Sequence, residues 1–348
     1  MECLVIVEGD RVNMETVKLA EVTRGDLVES IHFGAVAVVD TKGQLIASAG
    51  DPGYLTYFRS AAKPIQAIPV VESGAARHFG LKLPEVAILT GSHNGEVQHT
   101  ETVLGILRKI GLTAEALQCG AHAPLHGPSR DALLAQGLKL SALHNTCSGK
   151  HAGMLTLARY RGFSLEDYFL PEHPVQQEML QTVAEMSGLA PEQITLGIDG
   201  CGVPVFGLPL EKMAAAYARI SAPEDHALTE TRKKACVLIR KAMTTHPWMV
   251  GGTDRFDTDL LLATKGKLIA KFGAEAVYCL GIPAKGWGIA LKVEDGNLRA
   301  LPPVVLAVLE QLGLLTAVEK ERLARYQQSK LTNHRGDLIG QIRAVVSL

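Results

Sequence analysis

Strand-forming sequence stands near both ends of this 348-residue chain, and most of what lies between has helical periodicity. Leu4–Val7 and Ala35–Val39 are apolar runs rich in β-branched residues, and Asp40-Thr41-Lys42-Gly43 is a hairpin-type turn before a returning strand over Gln44–Ser48. Far downstream, Glu275–Ile282 and Gly288–Val293 flank Pro283-Ala284-Lys285-Gly286, with Glu294-Asp295-Gly296 closing the second strand. A consecutive βαβ series would alternate strands with helices. Strands gathered at the two ends predict an α+β architecture instead, with one antiparallel sheet assembled from both. The expectation is a single domain over residues 1–348, its sheet drawn from about 1–50 and 270–300 and its helical region from about 60–245.

The interior supplies the helices. Val103, Leu104, Leu107 and Ile110 recur at helical spacing within 97–110, and Val175, Met179, Val183 and Met186 within 174–187. Residues 61–73, 208–220, 227–244, 303–313 and 316–327 read as further helices, with Pro64 tolerable in a first turn. The segment from Cys119 to Gly153 differs. It is loop-like, rich in His, Gly and Pro, and dense in reactive side chains, as functional loops tend to be.

Composition excludes several classes. Lys and Arg (35) nearly balance Asp and Glu (36), and no long basic run occurs, so a nucleic-acid surface is not expected. No apolar stretch approaches the roughly 18 residues of a membrane span, and an acid at Glu2 argues against an export signal. Six scattered cysteines without such a signal imply reduced thiols in a cytoplasmic protein rather than a disulfide framework.

Three short strings carry nucleophile chemistry: Ser60-Ala61-Ala62-Lys63, Ser92-His93-Asn94 and Lys271-Phe272-Gly273. In that order they approximate the S-x-x-K, S-x-N and K-T-G set of serine hydrolases with a β-lactamase or penicillin-binding fold. Residues i and i+3 of a helix share a face, so Lys63 can reach the Ser60 hydroxyl. A lysine serves as base once burial or a second cation lowers its pKa, and Lys271 is a candidate for that cation.

Two further blocks are rich in ligand atoms. In Cys147-Ser148-Gly149-Lys150-His151-Ala152-Gly153-Met154, glycines permit a tight turn and a helix starts near Lys150. Cys147 near that N-terminus is a nucleophile paired with His151 or His144, a metal ligand, or a buried thiol. Asp199-Gly200-Cys201-Gly202 follows the strand-like Ile194–Ile198, placing Asp199 and Cys201 on a turn at a strand end. Two thiolates could hold zinc, with His151 as the conventional third ligand and Lys150 as an unconventional one. Six of the twelve histidines, His93, His99, His122, His126, His144 and His151, lie in this part of the chain. Arg255, after Gly251-Gly252-Thr253-Asp254, either clamps a carboxylate or belongs to a surface turn.

With these residues placed, the chain resembles the bacterial L-asparaginase II family of the Rhizobium etli (class 3) type, over nearly its whole length from Glu8 to about Leu314. The resemblance rests on Arg59-Ser60-Ala61-Ala62-Lys63-Pro64, Ser92-His93, the Cys147–Met154 block, Asp199-Gly200-Cys201-Gly202 and Lys271-Phe272-Gly273-Ala274-Glu275-Ala276. It implies a β-lactamase-like fold, a homodimer, L-asparagine as substrate and two Ser–Lys pairs, Ser60 with Lys63 and Ser92 with Lys271. Ser60 would be the nucleophile, and zinc would fall on Cys147, Lys150 and Cys201. Arg59, His93, Asp199 and His151 would orient the substrate or those ligands. One departure stands out: relatives carry Lys-Thr-Gly where this chain has Lys271-Phe272-Gly273. Two other readings fit the same motifs, a β-lactamase or peptidase relative and a non-catalytic zinc-stabilised binding protein.

Overall fold

The computed structural model describes residues 15–348. The strand expected over Leu4–Val7 lies outside these residues. Among the described residues the strands are β1 (Val17–Arg24), β2 (Leu27–Asp40), β3 (Leu45–Ala49), β4 (Leu55–Tyr57), β5 (Thr195–Ile198), β6 (Pro204–Pro209), β7 (Ile269–Gly273), β8 (Val277–Ile282), β9 (Trp287–Val293), β10 (Gln328–Thr332) and β11 (Leu338–Ala344). The main sheet runs β10-β11-β1-β2-β9-β8-β7, with β3 also paired to β2, and every pairing in it is antiparallel. The sheet is thus built from the two ends of the chain, as expected.

β2 is the hinge of this assembly. Its first half pairs with β1 through two register shifts, and its second half lies between β3 and β9, with Val36 opposite Leu291 and Val38 opposite Ile289. Such irregularities bend a strand and raise its twist, which curls the sheet. Ala35, Val36, Ala37, Val38 and Val39 are all fully buried, so this stretch is covered on both faces. One cover is the helix Leu210–Ser221, in which every residue except Glu211 and Lys212 is buried. At the hairpin before β3, the Asp40 carboxylate accepts the Lys42 and Gln44 N–H groups, both at 2.9 Å, and so fixes the turn.

Several helices match their expected spans closely, among them Val97–Lys109, Pro174–Ser187, Glu230–Thr245 and Leu301–Gln311. Others differ for identifiable reasons. The helix expected over 61–73 is broken into a 3-10 turn, Arg59–Ala62, and the short helices Lys63–Gln66 and Ile68–Glu72. Pro64 and Pro69 each open one of these pieces, since a proline ring clashes with the preceding turn and offers no N–H. The region over 316–327 likewise divides into Ala317–Arg322 and Ala324–Gln327. Within the loop-like segment, a helix over Gly127–Ala135 buries no residue at all, and the helix expected near Lys150 begins at Ser148. A small antiparallel sheet, β4-β6-β5, interrupts the helical region, and β10 and β11 extend the main sheet beyond the expected limits. No helix among the described residues is long and apolar enough to cross a membrane.

Candidate active site

The 3-10 turn Arg59–Ala62 lies against β7, and a glycine permits the approach. A Cβ on Gly273 would meet the Phe58 carbonyl oxygen at 3.0 Å and the Ala61 nitrogen at 3.3 Å. The Tyr217 hydroxyl donates to the Ala61 carbonyl at 2.8 Å, holding the turn from the other side. Arg59 adopts φ 50°, a left-handed conformation uncommon for a residue with a side chain. Backbone strain of this kind, immediately before a partly exposed serine, persists only where the surroundings enforce it.

Lys63 starts the next helix and is fully buried. Its ammonium donates to the Gly91 carbonyl at 2.8 Å, the Ser92 hydroxyl at 2.9 Å and the Thr146 carbonyl at 3.2 Å. The i, i+3 spacing led us to expect Ser60 as its partner; among the described residues its hydrogen bonds go to Ser92 and two carbonyls instead. Burial lowers the Lys63 pKa; Cys147 opposes that shift and the cation that most reinforces it is Lys150. Lys271 had been expected to supply that charge.

Lys271, on β7 opposite Cys279, is also fully buried. Its ammonium donates to the Phe272 carbonyl at 2.7 Å and lies 3.5 Å from Asp257, rather than engaging Ser92. Burial brings its pKa down to about 7, with Asp257 opposing and Lys63 and Arg255 reinforcing. Asp257, 2% exposed in the first turn of the helix Phe256–Thr264, escaped sequence reasoning. An acid there reads as an ordinary complement to the helix dipole. Three acids within Asp254–Asp259 were the available signal, and only the fold shows which one faces a lysine.

The second half of the site brings together residues far apart in sequence. Cys147 precedes the helix Ser148–Arg161, whose Gly149 is obligatory because a Cβ there would meet the Ile88 carbonyl oxygen at 2.2 Å. That contact seats the Cys147–Lys150 turn against the helix Leu83–Leu89. The turn after β5 supplies Asp199 and Cys201, and ligand atoms of Cys147, Asp199 and Cys201 all fall within 4.8 Å of one another. The Lys150 ammonium is 3.1 Å from the Cys201 sulfur and 4.0 Å from Asp199. Arg59 closes the circle, its guanidinium 3.0 Å from the other Asp199 oxygen. Blocks separated in sequence therefore form one site: Arg59 adjoins Ser60, and Thr146 adjoins Cys147 while accepting from Lys63.

The charges in this cluster are tightly linked. Cys147 donates to Cys201, which together with Lys150 brings the Cys201 pKa down to about 5, while Cys147 is pushed up to about 12. Burial works against the Lys150 charge, yet the two sulfurs and Asp199 hold its pKa above the ordinary lysine value. Burial also opposes ionisation of Asp199, but Lys150 and Arg59 keep it below the usual carboxylate range. Two sulfurs and a carboxylate converging in a buried space are donors that suit zinc, and Lys150 joins them only by giving up its proton.

The remaining expected residues take other places. His93 is fully buried, with Nε2 2.8 Å from the Ser148 hydroxyl and Nδ1 accepting the Gly95 N–H at 3.2 Å. Both ring nitrogens are engaged, so in this geometry His93 ties the Ser92 segment to the Cys147 turn instead of offering a face to substrate. His151 is buried too, with Nδ1 2.8 Å from the Tyr168 hydroxyl and its pKa pushed by burial down to about 3. It is not among the converging ligand atoms, which belong to Cys147, Asp199 and Cys201. Its Nε2 has no hydrogen-bond partner among the described residues.

The family model described as L-asparaginase II matches residues 20–344. A search of curated proteins returned no match. Among solved structures, the chain is similar to a β-lactamase from Mycobacterium bovis at 15% identity, covering 80% of this chain and 94% of that one with a TM-score of 0.42. It is similar to Mglu in its native form at 13% identity, covering 82% of this chain and 66% of that one with a TM-score of 0.46. It is also similar to a LovD6 mutant of simvastatin synthase from Aspergillus terreus at 12% identity, covering 80% and 93% of the two chains with a TM-score of 0.42.

Proposed function

The chain belongs to the L-asparaginase II family, and from that membership and the Ser–Lys geometry we propose that this hydrolase is an L-asparagine amidohydrolase, releasing L-aspartate and ammonia through a serine acyl-enzyme. The observation that carries the proposal is Lys63: fully buried, with its charged form disfavoured, three residues after Ser60 and hydrogen-bonded to Ser92. A buried lysine whose charged form is disfavoured supplies the base that a serine hydroxyl lacks.

In this mechanism neutral Lys63 takes the Ser60 proton, and the Ser60 oxygen attacks the side-chain amide carbon of asparagine. The Ser60 N–H is one donor to the developing oxyanion. Ammonia leaves with a proton returned through Lys63, and water then cleaves the ester by the same route. Ser92, at 2.9 Å from Lys63, relays protons and holds the amine in place. That hydrogen bond favours a second reading in which Ser92 itself attacks, but Ser92 is only 4% exposed whereas Ser60 is partly open to solvent. We assign Ser60 as nucleophile for this reason.

In this reading Arg59 and Asp199 bind the α-carboxylate and α-ammonium of the substrate, which is supported by their 3.0 Å ion pair beside Ser60. Zinc would be held by Cys147, Lys150 and Cys201, with Asp199 beside them, and when bound it supplies positive charge that orients the substrate. We further propose a cytoplasmic homodimer with no nucleic-acid or membrane partner. Ammonia release measured across asparagine, glutamine and small aliphatic amides tests the activity. Turnover of nitrocefin with none of asparagine would establish the β-lactamase-like alternative instead.

A further inference from the structure

Beside Lys271, and outside the Ser60–Lys63–Ser92 arrangement, lies a cavity of about 370 Å³ lined by Leu125, Arg255, Phe256, Asp257, Phe272, Tyr278, Leu298, Leu301 and Pro302. It has a rim and a floor. Leu125 and Leu298 are 53% and 48% exposed, whereas Leu301, Asp257 and Tyr278 are 3%, 2% and 1% exposed. Its walls are apolar except for one cation. Arg255 lies 5.7 Å from the Phe272 ring centre and makes no salt bridge among the described residues, its one hydrogen bond being a 3.4 Å contact with the Ser92 carbonyl. Asp257, at the floor, is already paired with Lys271 at 3.5 Å. The Tyr278 hydroxyl and one Asp257 oxygen there have no hydrogen-bond partner among the described residues.

We propose that this cavity is a binding site for a small apolar monocarboxylate, its carboxylate held by Arg255 and its apolar body seated on Phe256, Phe272, Leu298 and Leu301. A half-buried guanidinium over an aromatic ring, with most of its donors free, is matched by a carboxylate taken up in two parallel hydrogen bonds. One spare cation calls for one carboxylate, and Asp257 at the floor repels a second. The volume is at the small end of ligand pockets, roughly 300–1,000 Å³, which suits a single ring or a short branched chain. Phe272 supplies an aromatic face to this apolar wall, beside Phe256, Leu298 and Leu301. A ligand on Arg255 would contact the residue that holds the Ser92 carbonyl, so the site adjoins the reaction centre without being part of it.

Calorimetric titration of the full chain with phenylacetate tests the proposal, with acetate and 2-phenylethanol as probes of each half of the interaction. Phenylacetate is expected to bind saturably at one per chain and at least tenfold more tightly than acetate. Arg255→Gln should weaken phenylacetate at least tenfold while leaving 2-phenylethanol within twofold. Leu298→Asp, an exposed rim change that does not threaten the fold, should also weaken phenylacetate by placing a like charge at the entrance. Phenylacetate binding no tighter than acetate, or unchanged within twofold in both variants, would overturn the proposal. None of these readouts depends on asparagine turnover, so their failure and that of the proposed activity are separable.

Discussion

At the scale of single residues, the buried Lys63 bonds Ser92 while the more exposed Ser60 stands three residues before it, and that exposure is the ground on which the proposal makes Ser60 the nucleophile. Ser60→Ala is expected to reduce kcat/KM for asparagine by about a thousandfold or more, since removing a covalent nucleophile typically costs several decades, with the fold intact by circular dichroism. Activity within tenfold of the parent would transfer the assignment to Ser92. Lys271 offers a test by pH. The proposed mechanism needs Lys63 neutral, and a neighbouring cation favours that form, so Lys271→Met should raise the governing pKa and move the acidic limb of the kcat/KM profile upward. An unchanged limb would show that the two amines act independently. The same group makes a stability prediction. Its pKa is brought from an ordinary 10.5 to about 7 in the folded chain. Between those values the unfolded chain binds a proton that the folded chain does not, so stability rises with pH across the window and is lost as pH falls toward 7. Thermal unfolding followed from pH 7 to about 10 should show this contribution in the parent and lose it in Lys271→Met.

At the scale of elements, the Cys147–Lys150–Cys201 cluster depends on how one helix begins. Purified without chelator, the chain should carry about one zinc, and Cys147→Ser and Cys201→Ser should each remove most of it by elemental analysis. Because Cys147 is pushed up to about 12 and must lose its proton on binding, affinity should fall steeply as pH drops. Zinc content unaltered in both variants would reduce the cysteines to packed thiols. Gly149 tests the scaffold beneath them. A methyl group placed 2.2 Å from the Ile88 carbonyl oxygen cannot be accommodated without separating two helices. Gly149→Ala should therefore cost about 1–3 kcal/mol, the usual range for overpacking, and lower zinc content by displacing Cys147 and Lys150 together. A variant with the parent's melting temperature and zinc content would show that the two helices are free to part.

At the scale of the whole molecule, the sheet is closed by its most distant partners. β11 covers β1, with Ala20 opposite Ala344 and Val22 opposite Ile342, and β10 in turn covers β11. Deleting the chain from Gln328 onward would leave β1 as a bare edge, an invitation to pair with other chains. The truncated protein is expected to melt at lower temperature and to aggregate, as scattering during a thermal ramp would show. A soluble, monodisperse product with unaltered melting would mean that these two strands add little to the sheet.

The sequence by itself determined the sheet of mixed origin, most helix spans, and both sets of reactive residues, because these depend on periodicity and on side-chain chemistry. It could not signal β10, whose residues are largely polar or exposed, or β11, and the form of these strands depends on β11 pairing with β1 and β10 with β11. Nor could spacing decide which serine Lys63 would meet. Ser60 lies three residues away in the chain, yet the helix is broken by prolines and the ammonium turns toward Gly91, Ser92 and Thr146. Asp257 was invisible for the same reason: only packing sets a carboxylate against Lys271, and only burial brings that lysine's pKa down. Local sequence decides what each group is and what element it enters. Tertiary structure decides which groups are removed from water together, and in a buried site that sets the charge each of them carries.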